Sequence, residues 1–411
     1  MNILILNHYA GSPEMGMEFR PYYLAKEWQK YGHKVVVVGG TFSHLRKKQP
    51  SEGEEMIDGV RFVWLKTPSY QGNGVKRVFS MLSFLRQTFW GIRKKLGDFR
   101  PAVVIASSTY PLDNISARKI ARKFSAKHIY EIHDLWPLSP MELGCMSKFH
   151  PFIVMMQWAE NYAYRKCDAV VSILPKVEEH CKSHGLKDGK LFLVPNGITM
   201  EDWEHAEEIS GENKAFFSGL REKYRFVLGY LGGHALSNSL DILLDAAKMV
   251  SDENIAIVLV GNGVEKAHLM QRVENEGISN VFFQNPVSKR VVPKMLSEMD
   301  GLYIGWRKSS LYRFGISPNK LFDYAMSQKP IIHAVDAGND MVADAKCGIS
   351  VVPDDSKKIA QAIVDLSKMT EEERSALGNN GHDYVMKHHT YNVLAKQFLD
   401  VFLSLGVKKQ S

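Results

Sequence analysis

The stretch Phe314-Gly-Ile-Ser-Pro-Asn-Lys-Leu-Phe-Asp-Tyr-Ala-Met-Ser-Gln-Lys-Pro330 follows one apolar run, Gly301–Trp306, and precedes another, Ile331–Val335. It therefore reads as a loop and a helix between two strands. Ser317 is a good N-cap, and Pro318 suits the first helical position, where its missing N–H costs nothing. The N–H groups of Asn319 and Lys320 are then left free at a helix tip, which is an anion site with an ammonium beside it. Asp323 lies three residues on, one turn deeper on the same face. Leu321, Phe322, Ala325 and Met326 are expected to face the core. A phosphate at the tip and a ribose hydroxyl pair at Asp323 would use every polar group here. A well-capped structural helix with a solvated Lys320–Asp323 pair is the competing reading.

The same alternation of strand and helix extends through the chain. Short apolar runs at Ile3–Leu6, Val35–Val38, Val60–Leu65, Ala102–Ala106, Ile129–Ile132, Ala169–Ile173 and Leu191–Val194 make one series. Phe226–Leu231, Ile255–Val260, Val281–Phe283, Gly301–Trp306, Ile331–Val335 and Ile349–Val352 make a second. Helical patterns such as Pro21–Tyr31, Asn114–Ser125, Leu240–Val250 and Lys357–Lys368 fall between them. Apolar strands without alternation, separated by helices, indicate parallel sheets covered on both faces. The fold class is α/β, with two doubly wound Rossmann-like domains. The polar stretch Glu201–Arg225 is the expected linker, so the domains should span residues 1–200 and 201–385. The last helical pattern, in residues 386–411, should pack back toward the N-terminal domain.

The 411 residues, 45% hydrophobic and 24% charged, are those of a soluble globular protein with room for two cores. Cys145, Cys167, Cys181 and Cys347 are scattered, so neither a disulfide framework nor a zinc site is indicated, and a reducing cytosolic compartment fits. The N-terminus opens on a strand without a basic leader, so no secretory signal is expected. No apolar run is long enough to span a bilayer. Residues 1–200 carry 28 Lys/Arg against 17 Asp/Glu, and the remainder 24 against 28. The basic half calls for an anionic partner such as a membrane surface, unless the imbalance has none. Residues 75–100 concentrate that charge. Lys76, Arg77, Arg86, Arg93, Lys94, Lys95 and Arg100 are interleaved with Phe79, Phe84, Phe89 and Trp90, and only Asp98 opposes them. This pattern suits an interfacial helix on anionic lipid. His150–Trp158 is a second apolar segment, too short to span, and both segments could instead be core helices. Nothing matches an RNA-binding module, and no nucleic-acid partner is expected.

Ligands of open α/β sheets bind outside the carboxyl ends of the strands. The first such loop, Asn7-His-Tyr-Ala-Gly-Ser-Pro-Glu-Met-Gly16, holds Gly11, Ser12, Glu14 and Gly16 and leads to Arg20. It is not a dinucleotide fingerprint, and Gly39–Gly40 stands where a ribose-binding acid would be needed, which disfavours a dehydrogenase. Strand Ile129–Ile132 delivers His133 and Asp134, a place for recognition or acid–base work unless the pair is structural. In the second series, Gly232 and Gly233 allow close backbone approach, Ser237 or Asn238 can cap the next helix, and Gly261-Asn262-Gly263 repeats the glycine spacing.

Taken in order, these motifs resemble the family-four glycosyltransferases, retaining sugar transferases of the GT-B fold, over nearly the whole chain. The resemblance rests on the first glycine loop, Gly32-His33-Lys34-Val35-Val36, His133-Asp134 and Val194-Pro195-Asn196-Gly197. It continues through Gly232-Gly233, Val260-Gly261-Asn262-Gly263 and Ser317–Met326. Two features depart from the family. Gly315 stands where a first glutamate is common, with Asp323 at the second, and the usual Arg and Lys on the diphosphate are replaced by His234-Ala-Leu-Ser-Asn-Ser. This is similar to a Ser-Pro-x-Lys subgroup of bacterial surface-polysaccharide transferases, including those handling N-acetylfucosamine-type sugars.

The resemblance implies two domains facing a central cleft that closes on the donor. Sugar passes from a UDP-sugar to a lipid-diphosphate-linked saccharide at the inner face of the cytoplasmic membrane, without a cofactor. The donor side comprises Gly232, Gly233, Asn262, Asn285, Val287, Ser317, Pro318, Asn319, Lys320, Leu321 and Asp323, with Asn285 and Val287 at the base. The acceptor side is Gly11, Ser12, Glu14, Gly16 and Arg20. His133, Asp134 and Lys320 are the catalytic candidates. No Asp-x-Asp occurs, so no metal is expected on the diphosphate. A UDP-sugar epimerase of the same fold and a non-catalytic two-lobed sugar-binding protein are the alternatives.

Overall fold

In the computed structural model, which describes residues 1–16, 19–72 and 74–408, the apolar runs assemble into one eight-stranded and one six-stranded sheet. The first contains β1 (Asn2–Leu6), β2 (Lys34–Gly40), β3 (Gly53–Ile57), β4 (Val60–Leu65), β5 (Val103–Ala106), β6 (Lys127–Ile132), β7 (Ala169–Ser172) and β8 (Leu191–Leu193). Their order is β3-β4-β2-β1-β5-β6-β7-β8, parallel except for the β3–β4 hairpin. The second contains β9 (Phe226–Leu231), β10 (Ile255–Val260), β11 (Val281–Gln284), β12 (Gly301–Gly305), β13 (Ile331–Ala334) and β14 (Gly348–Val351). It is parallel throughout, in the order β11-β10-β9-β12-β13-β14. In both sheets the strand order reverses beside the first strand, between β1 and β5 and between β9 and β12. The ligand crevice of a doubly wound sheet opens there.

The chain divides into two compact units, residues 1–196 with 391–411, and residues 197–390. The stretch Glu201–Arg225 is not a linker. It forms helices Glu201–Glu204 and Gly211–Arg221, the second capped by Ser210 and burying Phe217 and Leu220 in the core of the second unit. Few apolar residues suffice because they fall three apart on one face. At the other end, helix Tyr391–Ser404 packs on helix Arg20–Lys30 of the first unit. Trp28 is buried between them and donates its indole N–H to Ala395 O at 3.0 Å.

The two segments read as either interfacial or core helices each bury one apolar face and expose another. Helix Val75–Trp90 buries Met81 and Phe84 while leaving Phe79 61% and Trp90 75% exposed. Helix Pro151–Lys166 buries Ile153 and Met156 and exposes Val154 and Trp158. Helix Asp113–Phe124 packs against both. Its Lys119 Nζ sits 3.6 Å from the centroid of Phe89 and 3.9 Å from that of Trp90. Among the described residues no helix is long and apolar enough to cross a membrane.

Candidate active site

In the first unit the polar groups gather at the carboxyl ends of β1, β5 and β6. Asn7 donates to Ser107 O at 2.8 Å, tying the loop after β1 to the loop after β5. Ser107 Oγ donates to Glu131 Oε2 at 2.6 Å and lies 3.0 Å from His133 Nε2, which is 3.3 Å from the same carboxylate oxygen. Glu131 is held in turn by Arg20 Nε at 2.8 Å. Burial alone would raise the Glu131 carboxyl, but Arg20, His133 and Ser107 outweigh it and hold the group far below the usual carboxylate range.

Arg20 is thus a framework residue and not an open acceptor contact. It is 4% exposed, and it also donates to Pro195 O at 2.5 Å and Val194 O at 2.8 Å. Asp134 does not pair with His133. Its carboxylate accepts from Leu135 N, Trp136 Nε1 and Ser139 Oγ, and so braces its own loop. The glycine loop holds Gly11 and Ser12 buried, with no partner for Ser12 Oγ among the described residues, and leaves Glu14 exposed. Gly16, at φ +117, bridges to Arg46, where a Cβ would press on Lys47 N. Asp113, which the sequence reading passed over, heads helix Asp113–Phe124 and accepts from Ser108 N at 3.0 Å; burial pushes its carboxyl up to about 7.

In the second unit the helix after β12 spans Asn319–Met326, one residue shorter at its start than the capping pattern suggested. Pro318 is the N-cap, extended at φ −77 and ψ 131, and Leu321 N bonds back to Pro318 O at 3.1 Å. Ser317 therefore lies one residue too early to cap. The first-turn N–H groups of Asn319 and Lys320 still have no intrahelical acceptor. Lys320 Nζ reaches across to β9, donating to Tyr230 OH at 2.9 Å and to Asn238 Oδ1 at 3.1 Å, and lies 4.6 Å from the Tyr230 ring centroid. Neither partner is charged. Burial lowers the Lys320 pKa from 10.5 to about 8.

The glycines around this ammonium have steric reasons. A Cβ on Gly232, at φ +158, would stand 3.0 Å from Lys320 Nζ, and one on Gly261 would collide with Gly232 O. Gly233 has open space beside it, and its carbonyl accepts from Tyr230 OH at 2.7 Å and Asn238 Nδ2 at 2.8 Å. Neither Ser237 nor Asn238 caps the following helix. Ser239 takes that position in a left-handed conformation, and Asn238 is spent on Gly233 and Lys320. His234 is buried; its ring lies against Tyr230 and Phe283, and its two nitrogens have no hydrogen-bond partner among the described residues. Burial, then Lys266 and Lys320, push its pKa down to about 4, so it is neutral at pH 7. Asn262 O accepts from His234 N at 2.9 Å, and Asn285 is exposed beyond β11, with Val287 partly buried.

Asp323 does not pair with Lys320. Both of its oxygens are taken by Lys289 Nζ, at 2.6 and 2.5 Å, a residue that sequence spacing gave no reason to single out. Gly315 has a backbone reason for replacing a glutamate. It ends the turn Ser310–Phe314 at φ +93, a conformation that side chains rarely adopt.

Residues 15–197 match the model of the glycosyl transferase 4-like domain, and residues 225–369 match that of the glycosyl transferases group 1. The chain belongs to the family-four glycosyltransferases. Among curated proteins, this glycosyltransferase is 22% identical over 247 residues to the O-antigen chain mannosyltransferase C of Escherichia coli; the match takes in 58% of the chain and spans about three-fifths (61%) of that relative's length. Its fold is GT-B. It superposes on the sucrose-phosphate synthase of Thermosynechococcus elongatus with a TM-score of 0.74 at 15% identity, covering 98% of this chain and 99% of that one. On the Anabaena protein HepE in complex with UDP and glucose the TM-score is 0.66 at 14% identity, covering 98% and 100%.

Proposed function

We propose that this glycosyltransferase moves a sugar from a UDP-sugar to a lipid-linked saccharide, with retention at the anomeric carbon, during assembly of a bacterial surface polysaccharide. The observation that carries the reading is Lys320. It is a largely buried ammonium with two neutral partners, at a helix tip with free N–H groups, where the sheet's strand order reverses. A diphosphate is the ligand that completes such a site. In the reaction, negative charge grows on the departing diphosphate, and Lys320 with the helix tip stabilises it through groups already in place. Asp323 takes the ribose hydroxyls, and the backbone at Asn285 and Val287 takes the base. The complex of HepE with UDP and the O-antigen relative support the choice of donor and pathway class.

The first unit takes the acceptor. Gly11, Ser12, Glu14 and Gly16 supply the loop, Arg20 fixes Glu131 beneath it, and Glu131 with Ser107 orients His133. The exposed Phe79 and Trp90, with basic Lys76, Arg86, Arg93 and Lys94 beside them, dock this unit on an anionic membrane. Incubation with UDP-sugars and a membrane extract tests the activity. UDP released only when lipid acceptor is present supports it; a UDP-sugar interconverted without acceptor overturns it.

A further inference from the structure

We propose that Lys289 is a latch on the ribose end of the nucleotide site, and that Asp202 receives its ammonium when a nucleoside diphosphate binds. The proposal rests on the reading of Asp323 as the ribose ligand. A ribose offers two vicinal hydroxyl donors, which a carboxylate binds side by side most readily on the edge that its two oxygens share. Here both oxygens of Asp323 face one ammonium, at 2.6 and 2.5 Å. Asp323 is 8% exposed and fixed on helix Asn319–Met326, so it cannot turn away, whereas Lys289 heads the short turn Lys289–Val291 on a flexible stem.

A destination for that stem is already in place. Asp202 lies on helix Glu201–Glu204, which packs against the Lys289–Val291 turn. It is 8% exposed, and its Oδ2 has no hydrogen-bond partner among the described residues. Its carboxyl feels the charges of both Lys289 and Asp323. A buried carboxylate oxygen without a donor is costly. Glu201 and Arg290 also act on Asp202, and Arg290 faces Glu207 at 3.7 Å; Lys289 thus satisfies Asp323, while Asp202 Oδ2 has no donor among the described residues. When ribose hydroxyls satisfy Asp323, Lys289 becomes surplus there and can satisfy Asp202, so the nucleotide-bound state leaves fewer buried oxygens unpaired. The handover offsets part of what breaking the Lys289–Asp323 pair costs.

Calorimetric titration of UDP into the wild type, Lys289→Met, Asp202→Asn and the double variant tests this. Lys289→Met removes the competitor and should tighten UDP binding about threefold to fivefold, the scale of a partly exposed ion pair. Asp202→Asn removes the destination and should weaken binding by a similar factor, but only while Lys289 is present; in the double variant its effect should vanish. Weaker binding by Lys289→Met would overturn the proposal, because Lys289 would then be a direct nucleotide ligand. An equal loss from Asp202→Asn in both backgrounds would also overturn it, because Asp202 would then act without Lys289. Asp323→Ala separates the two levels. Unchanged UDP affinity in that variant would refute the ribose reading itself, whereas weakened affinity there, with Lys289→Met leaving the affinity of the otherwise wild-type chain unchanged, would refute the latch alone.

Discussion

Lys320 makes the donor reading quantitative. Its pKa falls from 10.5 to about 8 because burial disfavours the ammonium and only Tyr230 and Asn238 stand against it. That difference is worth about 3 kcal/mol of unfavourable free energy for keeping the charge in the empty site. The folded pKa is depressed, so between about pH 8 and 10.5 the unfolded chain holds a proton that the folded chain has released. Stability of the free protein should therefore rise with pH across that window, while below it the penalty is present in full. A diphosphate supplies the missing counter-charge and lifts the pKa again. UDP binding above pH 8 must then take up a proton, and the affinity should be flat near pH 7 and weaken by up to tenfold per pH unit above 8. Titrations at pH 7 to 9.5, above the last phosphate ionisation near pH 6, in buffers of different ionisation enthalpy, read both the affinity and the proton. Lys320→Met should lower affinity at pH 7 by about a hundredfold, the equivalent of about 3 kcal/mol, and flatten the profile. Lys320→Arg should flatten it while keeping the charge. If wild type and Lys320→Met share one pH slope, Lys320 is not the phosphate ligand.

Four further outcomes follow from the geometry of the two units. Arg20→Met strands the buried Glu131 carboxylate and should cost about 3–5 kcal/mol in urea unfolding. Glu131 has a depressed folded pKa, so its contribution is present above about pH 4.5 and lost as pH falls; Glu131→Gln should flatten that acid limb, and an unchanged limb would refute the pairing. Gly315→Glu, which restores the residue common in the family, forces a side chain onto φ +93 and should destabilise the protein by about 1–2 kcal/mol without tightening UDP binding. Arg86, Arg93 and Lys94 changed together to Ser should reduce sedimentation with anionic vesicles by more than about tenfold at low salt, since each basic group near such a surface is worth about 1 kcal/mol; equal partition with wild type would remove the membrane face.

The architecture was legible because most of the parallel strands are short apolar runs buried on both faces, which leaves little freedom in where they begin and end; the sheet-edge strands β8, β11 and β14 are partly exposed. β3 escaped for the opposite reason. It is a strand on the sheet edge with Glu54, Glu55 and Met56 exposed, and its only signal was Asp58-Gly59, both at positive φ in the hairpin turn. In the site, Lys320 could be found from its place at a helix start, which is local information. The partners of Arg20 and Asp323 could not, because Glu131 and Lys289 come from distant parts of the chain and become neighbours through strand order and loop course. Arg20 followed a glycine loop and so looked like a ligand contact. A strand away, β6 had already assigned it a buried carboxylate.

That difference in pairing separates the two units chemically. At the switch point of the first sheet the guanidinium of Arg20 is paired with the Glu131 carboxylate and donates to two backbone carbonyls, and His133 lies 3.3 Å from the same carboxylate. At the switch point of the second, Lys320 has no acidic partner among the described residues, while the carboxylate on its own helix, Asp323, is bound by a different lysine. An anion at the switch point of the second sheet meets a charge with no acidic partner among the described residues. The asymmetry lies in the pairing of individual groups and runs against the gross composition, in which the first half of the chain is the basic one. The surplus of the first unit is spread over exposed side chains such as Arg86 and Arg93, where water already solvates it. In the proposed donor site one largely buried ammonium outweighs a larger exposed surplus, because desolvated charge gains most from a counter-ion.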